Sequence, residues 1–136
     1  MIALDTNVIA DLIVESQQFH VKTKEWFKNE EGPFATTHIC LGETFRLLTH
    51  PRIFPHPLSL PDGVGLVERF LGHYKIAVLP EKEEWWTDLK NLPTVRGNDI
   101  FDARIAFCLK HNGVKKIATH DSDFIKYPFL KIVSPL

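Results

Sequence analysis

Two short acidic motifs hold most of the chemistry available to this chain. Leu4-Asp5-Thr6-Asn7 lies at its start, and Thr119-His120-Asp121-Ser122-Asp123-Phe124 lies near its end. Each follows a short apolar run, Ile2-Ala3-Leu4 or Lys116-Ile117-Ala118, that reads as a buried strand. A carboxylate at the end of such a strand is costly when it loses water without gaining a partner. Two strands of one sheet that both end this way suggest that the cost serves to hold a hard divalent cation.

Further acids join the candidate set. Glu43 falls in the first turns of an expected helix, opposite a stripe of Leu41, Phe45 and Leu48. Asp102 lies near the start of another helix, within Asp102-Ala103-Arg104-Ile105-Ala106. Asp99 competes with it, because residues three apart share a helical face. The cap position suits Asp99, which leaves Asp102 for the metal. Asp123 sits two positions beyond Asp121, as a further ligand or a support. Acids gathered in one crevice repel unless a cation sits among them. Mg²⁺ or Mn²⁺ suits all-oxygen ligands, binds phosphate oxygens and lowers the pKa of a bound water. The expected chemistry is hydrolysis of a phosphodiester.

The elements that must position these acids alternate. After the first strand, Val8, Ile9, Leu12 and Ile13 repeat at helical spacing, and Phe19, Thr23, Trp26 and Phe27 do so before Gly32-Pro33. Phe34–Thr37 reads as a strand, and residues 39–50 as a helix ended by Pro51. Four of the nine prolines (Pro51, Pro55, Pro57, Pro61) mark the loop that follows. A helix is predicted over 62–73 with Val67, Phe70, Leu71 and Tyr74 as its stripe, then a strand over Lys75–Leu79. Trp85, Trp86 and Leu89 suggest a helix stopped by Pro93. Phe101, Ile105, Cys108 and Leu109 suggest one face of a helix that ends at Asn112-Gly113. Strands over Lys116–Thr119 and near Leu130–Val133 close the series. The alternation predicts a parallel sheet with helices on both faces, in which sites form beyond the carboxyl ends of the strands.

Composition sets limits. The 136 residues, 44% hydrophobic, suit one domain over 1–136 with a sizeable core. A net charge of −1 gives no global basic field. Cys40 and Cys108 are isolated in apolar helical patterns, which fits reduced core thiols rather than a disulfide or zinc site. Only three apolar residues separate Met1 from Asp5, too few for a signal-peptide core. No run is long enough to span a bilayer. A soluble, cytoplasmic protein is expected, with no membrane contact.

The order Asp5-Thr6-Asn7, Glu43, Asp102-Ala103 and Thr119-His120-Asp121-Ser122-Asp123-Phe124 resembles the PIN domain. Within that family it is similar to the VapC toxins of toxin–antitoxin operons. The likeness spans Ile2 through Phe124 and takes in His20, Trp26-Phe27 and Arg46, three residues after Glu43. It implies a three-layer α/β/α sandwich with a mostly parallel sheet and a Mg²⁺- or Mn²⁺-dependent endoribonuclease. The family's acids map onto Asp5, Glu43, Asp102 and Asp121, with Asp123 as an accessory and Thr119 as the hydroxyl ahead of the last acidic pair. It further implies a homodimer, a small VapB-like antitoxin, and an RNA substrate such as tRNA. The Pro51–Pro61 segment and the helix after it are longer than in the smallest members.

Each residue also has an ordinary reading. Asp5 is good capping sequence, Thr119–Phe124 can be an Asp-rich turn, and Glu43 and Asp102 can be solvated helix charges. His120 can contact substrate or lie on the surface. Arg46 can support the structure or orient substrate, while Asn7 and Thr119 can orient the acids. Two further functions remain open: a catalytically silent PIN-like domain that binds RNA or protein, and a phosphomonoesterase or phospho-acceptor domain. The latter is disfavoured because Asp5-Thr6-Asn7 lacks a second Asp.

Overall fold

A computed structural model describes all 136 residues. Five strands form one parallel sheet: β1 (Ile2–Leu4), β2 (Phe34–Thr37), β3 (Ala77–Leu79), β4 (Lys116–Ala118) and β5 (Lys131–Val133), in spatial order β3-β2-β1-β4-β5. The chain steps outward from β1 to β3, then crosses back to lay β4 against the other side of β1. The strand order therefore reverses between β1 and β4, at the ends that carry Asp5 and Thr119.

The helices are α1 (Thr6–Ile13), α2 (His20–Asn29), α3 (His38–Thr49), α4 (Leu60–His73) and α5 (Asp99–His111). Right-handed crossovers put α1 to α4 on one face and α5 on the other. The packing follows that division: α1 meets α2 and α3, α3 meets α4, and α5 meets two 3₁₀ segments, Trp85–Asn91 and Ser122–Lys126. Both faces of the sheet are thus covered, so β1 and β2 are buried at every residue. Val8, Ile9, Ile105, Leu109, Ile117 and Phe124 lie at the centre of the core. No helix is long and apolar enough to cross a membrane.

Several expectations change in detail. The buried line of α3 is Cys40, Thr44 and Leu48, not Leu41, Phe45 and Leu48. Thr44 can lie inside because its hydroxyl donates to the Cys40 carbonyl at 2.7 Å. Helix α4 begins earlier than expected, at Leu60, with Pro61 in its first turn and Ser59 as cap; there a proline's missing N–H costs nothing. Residues 85–91 are 3₁₀ rather than α, and none of them is fully buried. In α5, Phe101 points to solvent, and burial runs unbroken from Ile105 to Leu109. Gly113, with φ +70°, ends α5 in the left-handed conformation expected after Asn112.

The observed face of α3 can be tested. Leu48→Ala should destabilise the protein by about 2–5 kcal/mol, whereas Leu41→Ala, on the half-buried side, should cost markedly less. Urea midpoints at unchanged slope read the difference. Equal losses would restore the face expected from sequence.

Candidate functional site

The site grows from the end of β1. Asp5 is the N-cap of α1, in extended conformation, and only 6% exposed. Its Oδ1 accepts the Thr6 backbone N–H at 2.8 Å, and its Oδ2 accepts the Thr119 hydroxyl at 2.6 Å. The Cys40 thiol lies 3.7 Å from Oδ1. The capping reading of Asp5 therefore holds. Burial raises its pKa; the bonds from Thr119 and Thr6 oppose the rise, and the charge of Glu43 adds to it.

Thr119, the first residue beyond β4, is buried and uses its hydroxyl fully. It donates to Asp5 and accepts from Asn7 Nδ2 at 3.3 Å and from the Asp121 backbone N–H at 3.0 Å. One oxygen thereby joins the ends of β1 and β4 and the first turn of α1. Thr6 adds a second tie, donating from its hydroxyl to Glu43 Oε2 at 2.9 Å. That bond holds Glu43, on α3, toward the end of β1.

Asp121 lies three residues beyond β4 and caps the 3₁₀ segment, its Oδ1 accepting the Asp123 N–H at 2.8 Å. Asp102, in the first turn of α5, is half-buried, and its pKa is pushed up to about 7. Loss of water is the largest cause, followed by the charges of Asp121, Asp5, Glu43 and Asp123. A helix N-terminus favours a carboxylate; here desolvation and like charge outweigh it. The other four acids singled out from sequence thus all act electrostatically on Asp102.

The tightest group differs from the expected one. Oxygens of Asp99, Asp102 and Asp123 all lie within 4.8 Å of one another. Asp99 is not the cap of α5: Asn98 holds that position without a side-chain bond, and Asp99 is the first helical residue. Lys126 reaches Asp99 Oδ2 at 3.3 Å, in a pair that is open to solvent. This all-carboxylate donor set, with too little cationic charge beside it, fits a hard divalent ion.

Sequence reasoning missed Asp11. It is 5% exposed, one turn after Asn7 on α1, and its Oδ2 meets His120 Nε2 at 2.5 Å and the Thr23 hydroxyl at 3.4 Å. Asn7 Oδ1 accepts the His120 N–H at 3.3 Å. His120 therefore anchors the acidic turn to α1, with Phe19 packed on its ring. Four-residue spacing of Asn7 and Asp11 was the available signal. Arg104 is already paired: Glu81 binds it at 2.6 and 2.5 Å, and it lies over the Trp85 ring, at the edge of a groove that Glu43 also lines. Beside Glu43, a groove of about 510 Å³ opens between α3 and the start of α5, lined in part by His38, Gly42, Arg46 and Phe101.

A family model described as PIN domain matches residues 2–130 of the chain. The ribonuclease VapC24 of Mycobacterium tuberculosis is 26% identical to it, over 100% of this chain and 97% of that protein. The crystal structure of Mycobacterium tuberculosis VapC20, described as a Sarcin-Ricin loop cleaving toxin, superposes with a TM-score of 0.73 at 20% identity, over 96% of this chain and 97% of that one. DNA-bound VapBC from Salmonella typhimurium superposes with a TM-score of 0.66 at 17% identity, over 99% and 98%.

The electrostatics predict a pH dependence in the metal-free protein. Folded Asp102 keeps its proton to about pH 7, while an unfolded Asp loses it near pH ~4. Between those values the folded state binds more protons, so stability falls as pH rises. Asp102→Asn should match the parent's Tm at the acid end of the window, exceed it above pH 7, and flatten the fall between. Parallel melting curves in EDTA would contradict the repulsion described.

Proposed function

Because this chain belongs to the PIN domain family, we propose that it is a metal-dependent endoribonuclease, the toxin of a toxin–antitoxin pair, which hydrolyses RNA phosphodiester bonds. The observation that carries this reading is Asp102. Burial first, and then the charges of Asp121, Asp5, Glu43 and Asp123, push its pKa up to about 7, and its oxygens lie within 4.8 Å of those of Asp99 and Asp123, a crowding that a cation would relieve. The curated relative of similar length is named as a ribonuclease, which supports RNA as the substrate.

Asp5, Glu43, Asp102 and Asp121 would hold Mg²⁺ or Mn²⁺, with Asp123 and, on the geometry above, Asp99 at the rim. The chemistry such an ion supplies is polarisation of a phosphate oxygen and a lowered pKa for water. The protein's own part is positional. Asp5 is fixed by the Thr6 amide and the Thr119 hydroxyl. Glu43 is held by Thr6, and Asp121 by Thr119. Asn7 braces Thr119 and His120. Asp123 is the exposed member, so it can adapt as substrate enters. A small antitoxin as silencing partner, a homodimeric state, a cytoplasmic setting and a single domain over 1–136 complete the proposal.

Purified protein should cut RNA with Mg²⁺ or Mn²⁺ and stop on chelation. Asp5→Asn and Asp102→Asn should each lower kcat/KM by at least about 100-fold, and Thr119→Val by about 10–100-fold, as expected for a residue behind a ligand. Cleavage that persists in EDTA, or in Asp5→Asn, would refute the reading.

A further inference from the structure

The groove beside Glu43 is not needed to hold a metal, yet its walls have a specific chemistry. Arg46, on α3, is exposed and joins none of the protein's ion pairs. Opposite it, Phe101 on α5 leaves 49% of its surface in water. The same groove is lined by Arg104, already paired with Glu81, and by Gly42, in the interior of α3, where an added Cβ would meet nothing within 4 Å. Glycine inside a helix destabilises it relative to alanine, and no close packing here requires the missing side chain. Its effect is to leave the groove floor bare. Glu43 lies on the same wall, so whatever fills the groove ends at the acids.

An aromatic face, an unpaired cation and a bare floor are the parts of a single-strand nucleotide site: bases stack on the ring and phosphate meets the guanidinium. The volume of about 510 Å³ falls within the ~300–1,000 Å³ of small-ligand sites. We propose that this groove takes an unpaired nucleotide of the RNA next to the cleaved phosphate, with Phe101 as stacking platform, Arg46 on a backbone phosphate and Gly42 kept small to admit the base. This rests on the nuclease reading above.

The probe is a short fluorescein-labelled single-stranded RNA of mixed sequence, followed by anisotropy with Asp5→Asn protein in Mg²⁺. Adding Gly42→Leu should leave Tm unchanged or higher and weaken binding by at least ~10-fold. Phe101→Ala should weaken it by roughly 10-fold, with recovery in Phe101→Trp and no effect on a duplex of the same sequence. Arg46→Ala should reduce the slope of log affinity against log salt by about 0.7. In proteins that keep Asp5, Gly42→Leu and Phe101→Ala should raise KM and leave kcat near the parent value. If folded Gly42→Leu and Phe101→Ala proteins bind and cut single-stranded RNA with parental affinity and KM, the groove assignment falls and the nuclease stands. If the parent cuts no RNA but binding depends on Gly42 and Phe101, the nuclease reading falls and the groove stands.

Discussion

The structure turns on one carboxylate placed where carboxylates are expensive. Asp5 ends the central strand of the sheet, with covered strands on both sides. Removing a charged group from water costs several kcal/mol. Each hydrogen bond to a charged group returns about 1.5–3 kcal/mol, and Asp5 accepts strong ones from Thr6 and Thr119. Burial still prevails over these bonds, because the pKa remains raised. Folding therefore brings Asp5 to the edge of tolerance and leaves a remaining demand that a cation can meet. The Thr119 hydroxyl is the hinge of this arrangement. It gives its single hydrogen to Asp5 and receives two from the other side, so a change at one strand end is felt at the other.

From Asp5 outward the site grades from fixed to adaptable. Asp5, Thr6 and Thr119 are buried; Glu43, Asp102 and Asp121 are half-buried; Asp123 is exposed. The deep members set geometry through neutral donors. The outer ones lie close enough to repel one another and can move when that charge is neutralised. The groove continues the gradient, from Glu43 past Gly42 to Arg46 and Phe101. Charge changes sign along this path, which suits a polyanion whose reacting phosphate sits over metal while its neighbour meets arginine.

What was legible in the sequence was what depends on neighbours along the chain. Alternating apolar runs gave the strands and most helices, and the two acidic motifs marked strand ends because buried strands are short and apolar. What was hidden depends on residues far apart. Asp99 looked like a cap because Asn98-Asp99 is ambiguous by one position; in the structure Asn98 takes the cap and Asp99 opens the helix. Asp11 was missed, since its partner His120 lies at the opposite end of the sequence. Helix α5 shows no simple stripe because it is wedged between the sheet and two 3₁₀ segments. On α3, Cys40 and Thr44 outcompete Leu41 and Phe45 for the interior because two helices, α1 and α4, press on that side.

The gathering of acids for a cation is tested most directly by calorimetric titration of the metal-free protein with Mn²⁺, in buffers of differing ionisation enthalpy. Binding that draws on Asp102 must displace its proton, so about one proton should leave per protein near pH 6, and almost none near pH 8.5. Binding with no proton release at either pH, or no binding at all, would show that these carboxylates do not form a metal site.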